Sequence, residues 1–99
     1  MAGILTSSGI TRGLEKLHAD WALDDTGIQI QRTFVFKNYY ECMAFTNAVA
    51  WVAHQQNHHP DMLITYKTCH VVYSTHSAGG LTSKDFESAG EADRLIAHE

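Results

Sequence analysis

Residues 28–36, Ile28-Gln29-Ile30-Gln31-Arg32-Thr33-Phe34-Val35-Phe36, alternate with a period of two: Ile28, Ile30, Phe34 and Phe36 share one face, Gln29, Gln31 and Thr33 the other. This is a strand with one solvated face, the signature of an antiparallel sheet covered on one side only. Just upstream, Trp21-Ala22-Leu23 runs into Asp24-Asp25-Thr26-Gly27, a short strand entering a turn, so the two strands form a hairpin. Downstream the period lengthens at Asn38. Cys42, Phe45, Val49, Val52 and Ala53 fall on one stripe at helical spacing until Pro60 stops it, which predicts a helix of about 18 residues.

Residues 62–66 and 67–76 are rich in β-branched and aromatic side chains and predict two further strands in close succession, broken by Gly79-Gly80. At the front of the chain, Thr6 is an N-cap, and Ile10, Leu14 and Leu17 make a short amphipathic helix over residues 7–18. At the back, Thr82 as N-cap, Asp85 three residues on, and Leu81 with Phe86 as a hydrophobic staple start a last helix that runs to about Ala97. The order is α-β-β-α-β-β-α. The expected fold class is α+β: a four-stranded antiparallel sheet with three helices packed on one face.

Neither an internal repeat nor a Pro/Gly/Ser linker divides the sequence, and 99 residues with 44% hydrophobic and 18% charged side chains suit one globular domain over residues 1–99. Eleven acidic against seven basic residues give a net charge of −4 without a Lys/Arg stripe, which argues against a nucleic-acid surface. The longest apolar stretch, residues 48–53, is far shorter than a membrane span, and no signal-like start precedes a cleavage site. The expectation is a cytoplasmic protein. Cys42 and Cys69 have no CxxC spacing and are expected to be buried free thiols.

Seven histidines are the unusual feature: His18, His54, His58, His59, His70, His76 and His98, five of them between positions 54 and 76. Imidazole exchanges protons near neutrality and is also the commonest metal ligand. His54 and His58 are i,i+4 neighbours on the long helix, a spacing that zinc sites use, but Gln55-Gln56 stand where such a site carries its glutamate, and neither cysteine is near another. No metal site is therefore expected. Attraction to the negative end of the helix explains one or two of these histidines. It does not explain His59-Pro60, or His76 at a strand end just before Gly79-Gly80, where rigid elements project side chains into a cleft.

The run His54-xxx-His58-His59-Pro60, five residues, Tyr66, nine residues, His76, eight residues, Asp85 resembles the signature of the pterin-4a-carbinolamine dehydratases, also called 4a-hydroxytetrahydrobiopterin dehydratases. The likeness extends to Trp21-Ala22-Leu23, to Arg32-Thr33-Phe34-Val35-Phe36-Lys37, to Ala44-Phe45 and to residues 74–86, and so covers nearly the whole chain. The resemblance implies a hydro-lyase that uses neither metal nor organic cofactor. Its substrate is the 4a-hydroxytetrahydropterin left by aromatic amino-acid hydroxylases, its product quinonoid dihydropterin, and its place tetrahydrobiopterin recycling. Histidines suit this chemistry, because a leaving hydroxide needs an acid and a ring N–H must lose its proton.

Residue by residue, the resemblance makes His58 and His76 the acid–base candidates and His59 a positioning or auxiliary catalytic group, without fixing which imidazole is the acid. It implies substrate-binding roles for His54, Pro60, Tyr66, Ser74, Thr75 and Asp85. Asp85 has three readings: capping residue, orienter of a histidine, or hydrogen-bond partner of the pterin. Two positions depart from the family pattern, with His54 where many relatives carry an acid and Asn57 where Asp is frequent. The resemblance also implies a homodimer or homotetramer. A non-catalytic reading from the same fold is a coactivator or assembly protein that binds another protein. His70, in phase with Val72 and Ser74, reads as structural, and His18 and His98 as exposed helix-end residues.

Overall fold

The computed structural model describes residues 3–96. The elements are α1 (Ser7–Glu15), β1 (Ala22–Leu23), β2 (Ile30–Val35), α2 (Tyr39–Gln56), β3 (Asp61–Ile64), β4 (Thr68–Tyr73), a 3-10 turn (His76–Ala78) and α3 (Ser83–Arg94). The four strands form one antiparallel sheet in the order β1-β2-β4-β3. The two hairpins are thus joined through their inner strands, from Ile30 opposite Tyr73 to Val35 opposite Thr68. This is the expected α+β architecture, with the expected order of elements.

The core lies on one side of the sheet. Ile30 and Phe34 from β2, and Cys69, Val71 and Tyr73 from β4, meet Cys42, Phe45 and Val49 of α2 and Ala89 and Ala92 of α3. On the opposite side Thr33 and Val35 are exposed, and His70 joins Thr33 through Nδ1 (2.7 Å) and Gln31 through Nε2 (3.2 Å). Both cysteines are free and buried.

Several boundaries differ from the periodicity. The first helix ends at Glu15 rather than near residue 18, since His18 already belongs to a turn: its carbonyl accepts from the Trp21 N–H (3.1 Å) and its Nδ1 from the Asp20 N–H (3.0 Å). That turn delivers Trp21 to the core. Ile28 lies outside β2 because Asp24 gathers the preceding loop, accepting from the Thr26 hydroxyl, the Gly27 N–H and the Gln29 amide. Those bonds, Thr26 first, hold the Asp24 carboxyl below the usual carboxylate range. The third strand stops at Ile64, before the turn in which the Thr65 N–H bonds the Thr68 carbonyl. The last helix ends at Arg94, and the expected end at Ala97 and the exposed reading of His98 fall outside the described residues.

The core face of β2 also carries Arg32, a residue that the apolar count passed over. Only 8% exposed, it donates from Nη1 to Asp93 Oδ1 at 2.7 Å and lies 4.2 Å over the Phe34 ring. The Asp93 carboxylate also accepts from the Trp21 indole N–H (2.9 Å), so one acid at the end of α3 binds both β2 and the entry to β1.

Candidate active site

Helix α2 ends at Gln56 because Asn57 takes a left-handed conformation (φ 51°, ψ 42°), which asparagine tolerates better than most residues. The Asn57 N–H bonds the His54 carbonyl (3.3 Å), and the His58 N–H bonds the Ala53 carbonyl (3.1 Å). This paired arrangement is a Schellman motif, and it folds His58 back toward the helix while Pro60 prevents continuation. The left-handed residue also breaks the i,i+4 relation expected of His54 and His58. His54 stays outside, exposed and stacked on Trp51 (ring centroids 6.1 Å apart), whereas His58 turns inward.

His58 is 9% exposed, and its Nε2 sits 2.6 Å from Oδ1 of Asp85, which is completely buried. Asp85 is the third residue of α3, and its other oxygen accepts from the Thr82 backbone N–H (2.9 Å), the carboxylate half of a capping box. The same oxygen accepts from the Thr75 hydroxyl (2.8 Å), and Thr75 in turn meets the Thr82 hydroxyl (2.8 Å). Two of the readings of Asp85 therefore hold together: it caps α3 and it orients a histidine. Tyr73 lies parallel to the His58 ring (centroids 6.0 Å, 12° between planes).

Most of the other expected residues are near neighbours of this pair along the chain. His59 follows His58 in the chain and is exposed, with half-buried Pro60 behind it. His76 follows Thr75, opens the 3-10 turn and is exposed; that turn closes on Gly79, whose φ of 75° suits glycine, and Thr75 pairs with Gly80. Ser74 is half-buried at the end of β4. His58 and Thr75 converge on one carboxylate, so the exposed His59 and His76, each next in sequence to one of them, emerge from the same corner of the fold. Thr75 itself turns its hydroxyl inward.

Tyr66 is not brought to this corner within the chain. It stacks on Tyr39 (centroids 6.3 Å, 7°), the first residue of α2, whereas His58 and His59 follow the last, roughly 26 Å away along the helix axis. The β3–β4 turn that carries Tyr66 and the strand end that carries Thr75 are opposite ends of β4, which is the physical reason for the separation.

Sequence reasoning missed two members of the network. Thr82 was visible only as an N-cap, although a capping box necessarily brings its residues beside whatever Asp85 touches. Tyr73 figured only as one member of the strand predicted over residues 67–76; its hydroxyl is buried and has no partner among the described residues. Burial first, then the nearby charges of Asp85 and Asp93, push its ionisation well above the ordinary tyrosine value. Among the described residues no three His, Cys, Asp or Glu side chains are placed to hold a metal ion, and no helix is long and apolar enough to cross a membrane. A cavity of about 650 Å³ lies between α1 and α3, bordered by Gly13, Phe86 and Gly90, and none of the described histidines lines it.

Comparison with known proteins gives the family. The family model for pterin 4 alpha carbinolamine dehydratase matches residues 4–95. A protein of Nitrosomonas eutropha named as a candidate pterin-4-alpha-carbinolamine dehydratase is 53% identical over 83 residues, 84% of this chain and 72% of its own. One of the same name from Legionella pneumophila (strain Lens) is 45% identical over 92 residues, 93% of this chain and 81% of its own. The crystal structure of a transcriptional coactivator/pterin dehydratase from Brucella melitensis superposes with a TM-score of 0.91 at 28% identity, covering 96% of this chain and all of that one. The chain belongs to the pterin-4a-carbinolamine dehydratase family, a family of hydro-lyases.

Proposed function

We propose that the protein dehydrates 4a-hydroxytetrahydropterin to quinonoid dihydropterin and water by histidine acid–base catalysis, in the recycling of tetrahydrobiopterin. The observation that carries this reading is the pairing of His58 with the fully buried Asp85 beside two exposed histidines, His59 and His76. A buried carboxylate behind an imidazole is an arrangement suited to holding and releasing a proton at a defined atom. In the reaction the C4a–O bond breaks with its electron pair on oxygen, which takes a proton and leaves as water. A ring nitrogen supplies the electrons of the new C=N bond, and a ring N–H passes its proton to a base.

His58 and His76 are assigned these transfers, and His59 holds the pterin or assists. His54, on its Trp51 platform, Pro60 and Ser74 border the proposed cleft, and Asp85 and Thr75 act from behind it. The reading places the protein in the cytoplasm and treats residues 1–99 as one working unit. It includes assembly into dimers or tetramers, supported by the position of β3 at a sheet edge with Leu63 66% exposed. The alternative, a coactivator or assembly protein that binds another protein, draws support from the coactivator half of the Brucella protein's name.

The test is the dehydration rate of freshly generated 4a-hydroxytetrahydropterin with chelator-treated protein. The wild-type protein should accelerate it, and His58→Ala and His76→Ala should each lose about 100-fold or more, the usual scale of a general acid or base. Equal rates in all three would refute the assignment. Loss of rate on chelation and its return with zinc would replace it by a metal mechanism.

A further inference from the structure

We propose that His58 exchanges its proton through Nδ1, fixed as the Nε2–H tautomer by Asp85, and that Thr75 and Thr82 are the positioning residues that hold Asp85 for this purpose. The inference rests on the dehydratase reading only for what the proton is used for. The tautomer itself is a property of the free protein.

The argument is a count of donors and acceptors around one carboxylate. Asp85 Oδ2 takes the Thr75 hydroxyl and the Thr82 N–H, at 2.8 and 2.9 Å. The Thr75 proton is thereby committed, so the 2.8 Å contact between the two hydroxyls runs from the Thr82 O–H to the Thr75 oxygen. Every hydrogen in the relay points toward Asp85, and the carboxylate acts as an acceptor throughout. An ionised carboxylate can only accept, so at Oδ1, 2.6 Å from His58 Nε2, the proton of the contact belongs to the imidazole.

With Nε2 protonated, the neutral ring carries its lone pair on Nδ1. That atom has no hydrogen-bond partner among the described residues. It is also not among the buried unpartnered atoms, which among those residues are Arg32 Nε and Tyr73 Oη alone. The small exposed fraction of His58 therefore includes Nδ1, and this nitrogen opens to solvent at the corner from which His59 and His76 emerge. The ring cannot swing away easily: Tyr73 covers one face, Asp85 holds the far edge, and the turn at Asn57 fixes the backbone. A tautomer set by a buried acid resembles the aspartate-oriented histidine of serine proteases in logic, where loss of the acid leaves the geometry but reverses the proton.

The experiment is long-range proton–nitrogen correlation on protein labelled with ¹⁵N-histidine, at a pH where His58 is neutral. Wild-type protein should show Nδ1 of His58 as the unprotonated nitrogen. In Asp85→Asn the amide NH₂ can donate to Nε2, and the tautomer should reverse. Thr75→Val should give a mixture of tautomers, and Thr75→Ser, which keeps the hydroxyl, should restore the wild-type signature. In turnover, Thr75→Val should lower kcat by about 10-fold with KM nearly unchanged, as expected for a group that supports an acid–base residue rather than the substrate. An Nδ1–H tautomer in wild-type protein, or an unchanged tautomer in a folded Asp85→Asn, would overturn the proposal. A wild-type protein that shows the expected tautomer but does not accelerate dehydration would refute the dehydratase reading and leave the tautomer assignment standing.

Discussion

Arg32 of β2 and Asp93 of α3, 61 residues apart in the chain, meet inside the molecule with Nη1 and Oδ1 2.7 Å apart. Arg32 is almost wholly buried and Asp93 keeps 19% of its side chain exposed, so the pair sits where the rim of the core meets water. The same carboxylate holds the Trp21 indole, and its loss would strand two buried donors at once. Asp93→Ala should therefore destabilise the fold by about 3 kcal/mol, the low end of the cost of removing one partner of a buried pair, because the exposed Asp20 remains 3.9 Å from Arg32 Nη2. Trp21→Phe, which removes one hydrogen bond and part of a ring, should cost clearly less. Urea unfolding of both variants checks the order; an Asp93→Ala midpoint at or above that of Trp21→Phe would contradict it.

Gly13 and Gly90 face the same groove between α1 and α3 but have opposite tolerances. A Cβ at Gly13 would stand 2.7 Å from the Phe86 ring, whereas one at Gly90 would find its nearest neighbour, Leu17, at 3.9 Å. Gly13→Ala should cost about 1–3 kcal/mol through overpacking. Gly90→Ala, inside α3, should be neutral or stabilising by up to about 1 kcal/mol, because alanine is the better helix former. Thermal unfolding should move the two midpoints in opposite directions.

Tyr73 gives the protein a dependence on alkaline pH. Its ionisation is raised in the folded state, so its contribution is fully present below the ordinary tyrosine value of about 10 and is lost as pH rises beyond it. Stability should fall above that pH more steeply in wild type than in Tyr73→Phe. At neutral pH the phenylalanine variant loses only a hydroxyl without a partner among the described residues and should be as stable as wild type or about 1 kcal/mol more so. Denaturant titrations at pH 7 and pH 10.5 give both comparisons; identical alkaline slopes would contradict the burial argument.

Asn57 sets the direction of His58 through its left-handed backbone. Asn57→Gly should leave stability within a few tenths of a kcal/mol, whereas Asn57→Val should cost about 1–2 kcal/mol, since a β-branched residue resists positive φ. If the turn positions the site, Asn57→Val should also slow turnover more than its loss of stability explains.

Much of this was legible in the sequence where one period dominates. The alternation around Ile30 and Phe34 and the stripe from Cys42 to Ala53 identify β2 and α2, because each buries one face against a single core. The histidine signature points to His58, His59 and His76, the residues of the proposed site. What periodicity does not register is long-range polar pairing. Arg32 occupies a core position through Asp93, and Asp85 is drawn to His58 and Thr75, across separations that leave no local trace. Spacing along the chain also grouped Tyr66 with the histidines, while the length of α2 holds it at the opposite end of the molecule.

The claim that the pterin binds at the His58 corner is tested most directly by mapping a non-reacting dihydropterin analogue onto the amide and imidazole resonances of the folded protein. The account predicts saturable shifts at His58, His59 and His76, with Gly13, Phe86 and Gly90 unmoved. Shifts confined to the cavity between α1 and α3, with the three histidines silent, would contradict it.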